Sequence, residues 1–412
     1  MEESENQHPI SVDKHENSLE GRRSPLHRKT PSGCTNVWYM NYSRSHTDGQ
    51  PVATELAYLR FFAEQAQAFG LKLEILTHGL GAVDVETELS KSRFAELDYR
   101  VNVSESPVLK WAEDCAEYLD DGQVLLPMAC DLEELIVAMT EGRRSRWSGQ
   151  IGDETLEQVL GEDHLWIPLG IKVHEAEMVP QQLTAAKLRG QTVQFISAYI
   201  EGGNMIVGED AQGQTLILIG KDAIDATTYL REITGDRLKA LLVEEFRLSS
   251  PEQIVYVEQP GQFHLDMGML FLGKGIVVVN DSAEALNNAQ EMATLAPCST
   301  TETMAALLEL QDHLEAIAAK DLHQAGLTVK RENLVNGVFY NFCNGEFITG
   351  KDGNAYYITN GAAPEQEIRF RKLMVETWQV VTDVIFSPRQ LTHKSLQERG
   401  GLGCRIKGAR FV

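Results

Sequence analysis

The sequence predicts an α/β protein of five repeated ββαβ-type units set about a common axis, and three observations lead to it. Short β-branched runs come in pairs around glycine turns, as in MIVGEDAQGQTLILIG (205–220), FHLDMGMLFLGKGIVVVND (263–281) and EFITGKDGNAYYIT (346–359). Pairs joined this tightly must be antiparallel hairpins. Where the pattern is clear, each pair is followed by a helical stretch and a third strand, and each is entered through a short polar segment. Arranging such units in a ring around a central channel lets each cover its neighbour's strand edges, with helices outside. It also suits a chain of 412 residues, longer than the ~250–300 at which a single core usually stops growing.

Residues 1–33 are polar and nearly free of large apolar side chains, so they read as a disordered tail, leaving 34–412 as one domain. Leu56, Leu59, Phe62, Ala63 and Ala66 recur at helical spacing and predict a helix over Thr54–Gly70. Strands follow at Leu71–Leu76 and Tyr99–Val103. The first hairpin pairs Tyr118-Leu119 with Gln123–Pro127 across Asp120-Asp121-Gly122, and the second lies in LWIPLGIKVHEAEM (165–178). A helical stretch at Pro180–Leu188 and a strand at Thr192–Tyr199 lead to the third hairpin, whose helix spans about Ala223–Phe246 before a strand at Ile254–Glu258. The fourth pairs Met267–Leu272 with Gly275–Asn280, followed by a helix over Ser299–Ala325 and a strand at Leu327–Arg331. The fifth pairs EFIT with AYYIT, followed by a helix near Pro364–Val380 and a strand near Val384–Phe386.

Composition narrows the partners. The chain is 43% hydrophobic and 24% charged, with a formal net charge of −23, which opposes nucleic acid and anionic membranes and attracts a small cation. Its six cysteines form no CxxC pair, pointing to reduced thiols and a cytoplasmic location rather than a disulfide framework or a zinc site. No run of ~18 apolar residues could span a bilayer, and the start lacks the apolar core of a secretory signal. Oligomeric state stays open.

If the five polar segments meet at one end of the axis, Asp114, Asp163, Glu201 with Asn204, His264 with Asp266, and Asn341 with Asn344 surround one cavity. His264 and Asp266, two apart on extended backbone, would share a face. Several carboxylates and one imidazole suit a planar cation rich in N–H donors, which means guanidinium. Cys404 sits in RGGLGCR (399–405), where glycines permit close backbone approach and neighbouring cations could stabilise a thiolate able to attack carbon.

WAED (111–114), EGGN (201–204), FHLD (263–266) and GGLGC (400–404), in this order, resemble the signatures of the guanidino-group-modifying superfamily with the five-bladed α/β propeller, or pentein, fold. The likeness runs from about Tyr99 onward and is greatest to agmatine and peptidyl-arginine deiminases, because of Trp111 and Asn204. It implies Cys404 as nucleophile, His264 as general acid and base, and Asp114 and Asp266 as guanidinium carboxylates. Glu201, Asn204, Asp163, Trp111 and Arg405 are the further candidates for the substrate pocket. It implies a cysteine-dependent deiminase acting on arginine, agmatine or peptidyl-arginine, with no cofactor and no catalytic metal. An amidinotransferase and a non-catalytic binding protein on the same scaffold are the alternatives.

Some positions depart from the pattern. Gly403 stands where agmatine deiminases typically carry histidine, and Glu113 and Cys115 replace an arginine and a small residue beside the first aspartate. Asp163 is a second candidate for that aspartate. Arg399, Arg405, Lys407 and Arg410 could hold a substrate carboxylate, lower the thiol pKa, or solvate the terminus.

Overall fold

The computed structural model describes residues 26–45, 49–106, 108–114, 116–150, 152–154, 156–157, 160–161, 179–260, 264–295, 299–337 and 339–410. Within them the fold is mixed α/β, and its strands form five principal sheets of one repeated design. An antiparallel pair is extended by a third strand parallel to its second member, reached through helix.

Glu117–Tyr118 and Val124–Leu126 are joined by Val193–Phe195. Met205–Glu209 and Thr215–Gly220 are joined by Ile254–Val257. Met269–Gly273 and Ile276–Asn280 are joined by Thr328–Glu332, and Gly345–Thr349 and Ala355–Thr359 by Asp383–Phe386. The turn of the third of these is left-handed at Gly273, Lys274 and Gly275 (φ 88°, 51° and 73°), a conformation that favours glycine at both flanks.

The remaining sheet is formed from sequence extremes. Ile406–Ala409 pairs antiparallel with Val37–Tyr42, which runs parallel to Lys72–His78, itself parallel to Tyr99–Ser104. Neither Val37–Tyr42 nor Ile406–Ala409 was expected as a strand, since no hairpin turn announces a partner so distant in sequence. The hairpin expected at 165–178 lies outside the described residues. The strand expected after it belongs instead to the Glu117–Leu126 hairpin.

Apolar clusters join the sheets in chain order, and the last to the first. Tyr39 and Ala409 pack with Tyr118 and Leu126; Leu125 with Val207 and Ile217; Leu218 with Phe271 and Val277; Leu272 and Val278 with Phe347 and Tyr357; and Ile348 and Ile358 with Ile75 and Ile406. Helices close the outer sides, as where Leu59, Phe62, Ala63 and Ala66 of Ala53–Phe69 enter the last cluster. Fully burying one such leucine or phenylalanine contributes about 1.5–3 kcal/mol.

Two expectations about local structure are corrected. The single helix expected over 223–246 is two, Lys221–Arg231 and Gly235–Glu245, because Glu232 turns left-handed (φ 51°) and the Thr234 hydroxyl caps the second by accepting from the Arg237 N–H. The polar tail expected to reach Gly33 is packed from Leu26 onward. Leu26 is 2% exposed, the His27 N–H donates to the Tyr118 carbonyl at 3.1 Å, the Lys29 N–H to the Val207 carbonyl at 2.8 Å, and Thr30 Oγ1 to Glu209 Oε2 at 2.7 Å. These polar groups meet partners remote in sequence. Residues 1–25 lie outside the described set.

Candidate active site

Each of the five principal sheets has a strand preceded by a short segment that carries a candidate residue, and these segments meet. Gly202–Asn204, Leu265–Met267 and Gly403–Arg405 are single 3-10 turns leading directly into or toward Met205, Met269 and Ile406. Trp111–Asp114 precedes the Glu117 strand and Asn341–Asn344 the Gly345 strand. Contact is close enough to require glycine at two points. A Cβ on Gly203 would lie 2.3 Å from His264 Nδ1 and 3.0 Å from Asp266 Oδ1, and one on Gly401 would lie 2.3 Å from Asn344 Oδ1.

His264 is 2% exposed and extended at φ −120°. Asp266 follows in the 3-10 turn rather than on extended backbone, so the two face the same glycine by turning, not by strand alternation. His264 Nε2 lies 2.5 Å from Glu201 Oε2, and its Nδ1 is 3.8 Å from Asp114 Oδ1. Tyr199 Oη donates to Glu201 Oε1 at 3.0 Å and holds it in place. Burial opposes charge on His264, but the hydrogen bond and charge of Glu201, with Asp114 and Asp266, outweigh it and push its pKa up to about 9. The imidazole is thus a cation at neutral pH.

Cys404, also 2% exposed, presents its sulfur to the same cluster. Asn344 Nδ2 donates to Cys404 Sγ at 3.3 Å and to Asp266 Oδ2 at 2.8 Å, while Asn344 Oδ1 accepts from the Cys404 N–H at 3.3 Å. The Cys404 carbonyl accepts from the N–H groups of Ala112 and Glu113 at 2.9 and 3.3 Å, tying the sulfur's turn to the Trp111–Asp114 segment. Asn344 is itself fixed by Asn341, whose Oδ1 accepts from its N–H at 3.1 Å, and by Asn360, which donates to its carbonyl at 2.9 Å.

The acids divide into unequal forms. Burial, reinforced by Glu201 and Glu113 and opposed by His264, raises Asp114 to about 7. Burial and the adjacent Glu113 raise Asp266 well above the usual carboxylate range, while Glu113 is held below it by Lys29, whose Nζ stands 2.6 Å from Glu113 Oε1. Burial, then Asp266, Asp114 and Glu113, push the Cys404 thiol well above its ordinary value.

Glu113, Asp266 and Cys404 each place a donor atom within 4.8 Å of the others. Such a set could ligate a divalent ion. Yet the Lys29 ammonium already supplies positive charge at Glu113, and the Asn344 amide directs its N–H at both other donors. A flat cation with several N–H groups meets the same acceptors without displacing Lys29.

The remaining candidates are placed as follows. Glu201, expected on substrate, is hydrogen-bonded to the imidazole. Asn204 is buried, and its Oδ1 accepts from Gln259 Nε2 at 3.3 Å. Trp111 packs beside Cys404 and Met267, and its ring would meet a Cβ on Gly400 at 2.3 Å. Arg405 corrects an expectation: both Glu55 oxygens accept from its Nη1 at 2.9 Å and Ser395 Oγ from its Nε at 2.9 Å, so the cation is committed to structure. Lys407 is likewise paired with Glu117 at 2.5 Å. The largest influences on the Cys404 thiol are burial and the three acids, not these cations. Asp163 lies outside the described residues. Lys29 and the pairing role of Glu113 were missed, because nothing local to a polar N-terminal stretch announces a partner 84 residues away.

No protein-family model matches the chain, and no curated protein matches it in sequence. Solved structures do. C. jejuni agmatine deiminase superposes with a TM-score of 0.53 at 12% identity, covering 94% of this chain and 96% of that one. Agmatine deiminase of Enterococcus faecalis gives 0.53 at 11%, covering 94% and 96%. A protein provisionally named peptidyl-arginine deiminase gives 0.58 at 12%, covering 94% and 100%. At such identity the likeness speaks for the fold alone, which this chain shares with these solved deiminase structures.

Proposed function

We propose that this protein is a cysteine-dependent deiminase that hydrolyses a guanidino group to a ureido group and ammonia, on a five-bladed propeller whose blades are the five sheets. The cyclic order of the apolar clusters supports the propeller. The observation that carries the function is the shared Asn344 amide, which binds the Cys404 sulfur and the Asp266 carboxylate at once, beside an imidazole flanked by Glu201 and Asp114. A nucleophile, a proton carrier and acceptors for a planar cation thus share one buried cluster.

In this reading the guanidinium enters between Asp114 and Asp266, and its charge offsets the carboxylates that otherwise disfavour the Cys404 thiolate. The thiol proton is released as the cation binds. The thiolate forms a C–S bond to the guanidinium carbon, and the His264 imidazolium protonates one amino group, which leaves as ammonia when its C–N bond breaks. The product is a thiouronium adduct on Cys404. Water, deprotonated by the now neutral His264, adds to that carbon; the C–S bond breaks, and the added hydroxyl gives its remaining proton to the departing sulfur, so the ureido product leaves and the Cys404 thiol is restored. Committing Arg405 to Glu55 leaves the far end of the substrate to other groups. No helix among the described residues is long and apolar enough to cross a membrane.

The test is a screen of arginine, agmatine and arginyl peptides for ureido products and ammonia, with Cys404→Ala as the blank. Release of ornithine in the presence of an acceptor amine would instead identify an amidinotransferase. Absence of any product, with no labelling of Cys404 by a haloacetamidine, would overturn the reading.

A further inference from the structure

A lysine from the segment expected to be a loose tail lies directly behind this cluster. Lys29 Nζ donates to Glu113 Oε1 at 2.6 Å, to the Gly202 carbonyl at 2.9 Å and to the Met205 carbonyl at 3.1 Å. An ammonium has three N–H groups, so its donor capacity is used in full. Two of the three acceptors adjoin functional residues: Glu113 precedes Asp114, and Gly202 follows Glu201. Asp114 and Glu201 are the two carboxylates that bracket the His264 ring, at 3.8 and 2.5 Å. The Gly202 N–H donates to the Asp114 carbonyl at 2.9 Å, so backbone and ammonium clamp the same two segments.

The charge arrangement carries the same message. The WAED segment places an anion, Glu113, beside the first guanidinium carboxylate, where a cation's absence would leave three buried acids together. Lys29 restores the balance from a different part of the chain. The groups facing its ammonium are Glu113, Glu117 at 3.7 Å, and Asp266; Glu117 is shared with Lys407, and the buried Glu346 also feels both lysines.

We infer that Lys29 is a positioning residue of the active site: its ammonium ties the Trp111–Asp114 segment to the Glu201–Asn204 turn and supplies the positive charge behind their carboxylates. The inference rests on the proposed reaction only for its kinetic readout. Lys29 lowers the pKa of Glu113, Asp114 and Asp266 alike. Removing it must therefore raise all three, and the site must hold its protons to higher pH.

The experiment compares full-length wild type, Lys29→Met and Glu113→Gln. Infrared spectra recorded across pH 6–10 follow the protonated carboxyl band, which near neutrality reports only acids with raised pKa. The midpoint should move up in K29M, by on the order of one pH unit, and down in E113Q, which keeps the ammonium but removes one acid. In turnover, K29M should shift the acid limb of kcat/KM upward with the band. At pH 7 its KM should rise roughly tenfold, with kcat less affected and the gap narrowing toward pH 9. A purely structural lesion would lower kcat/KM by one factor at every pH. A midpoint unmoved from wild type in either folded variant overturns the inference, and E113Q carries the test alone should K29M fail to fold. If the midpoints move while the wild type turns over no guanidino compound, the reaction is wrong and the role of Lys29 stands.

Discussion

Cys343 and Cys404 are both free thiols, 3% and 2% exposed, and burial pushes the pKa of both well above the usual thiol value. Burial therefore distinguishes nothing. Cys343 packs in an apolar cluster with Phe342, Phe347, Tyr357 and Phe370, and behind its burial only the charges of Glu315 and Asp266 add to its raised pKa. Cys404 receives an N–H from Asn344 and stands within reach of Asp266 and Glu113. The second sulfur is disfavoured as a thiolate chiefly by burial and by anions, and only the anions can be answered by a cationic substrate. The acids beside Cys404 line the proposed cation site, so binding can relieve their share of its raised pKa, whereas the share that Glu315 and Asp266 add at Cys343 acts across apolar packing.

This contrast can be broken most directly by exchanging the sulfurs. Cys404→Ala should lower turnover of whichever guanidino compound is active by at least roughly a thousandfold, with the fold intact by circular dichroism. Cys343→Ser should leave kcat/KM nearly unchanged and cost about 1–3 kcal/mol in urea unfolding, by burying a hydroxyl among apolar groups. Equal loss of activity in both variants would dissolve the distinction. Asn344→Ala removes the donor shared by sulfur and carboxylate and should lower kcat by about 10²–10³-fold, the scale for one preorganised donor in an active site. Single-turnover kinetics would check whether the loss lies in the chemical step.

The pH profile sharpens the comparison further. In the proposed reaction Asp114 must be ionised to hold the cation and, near 7, loses its charge as pH falls; His264 must be protonated to expel ammonia and, near 9, loses its proton as pH rises. The profile of kcat/KM should be a bell with limbs near these values. Glu201→Gln removes the hydrogen-bonding anion that raises His264, so the alkaline limb should move down, as histidine NMR titration would also record. The smallest effect concerns stability. A thiol whose folded pKa exceeds the unfolded value of ~8.5 stabilises the fold fully below that pH, and the contribution fades as pH rises through the folded pKa. Cys343→Ala should therefore flatten the loss of stability above about pH 8.5 in urea titrations followed by fluorescence.

Legibility in the sequence followed the range of the interactions. The hairpins at 205–220, 269–280 and 345–359 could be read because β-branched runs and glycine turns are local signals. His264, Asp266, Asp114 and Cys404 could be singled out because each stands in the turn before a sheet or beside a glycine that permits contact. The break at Glu232 was hidden by continuous helical periodicity. Lys29, Thr30 and the Val37–Tyr42 strand were illegible for one shared reason: their partners, Glu113, Glu209 and Ile406–Ala409, lie far along the chain. Arg405 was misread because its sequence neighbour is the proposed nucleophile, while Glu55, its counter-ion, is 350 residues away.

The pairing of Val37–Tyr42 with Ile406–Ala409 bears on how the molecule is born. During vectorial synthesis the acids and the imidazole leave the ribosome well before the sulfur does. Until the later strand docks beside the earlier one, a nascent chain carries an acidic pocket without its reactive atom. Premature termination anywhere upstream of Gly403 would accordingly yield a chain with the carboxylates and the imidazole but without the sulfur on which the proposed chemistry depends.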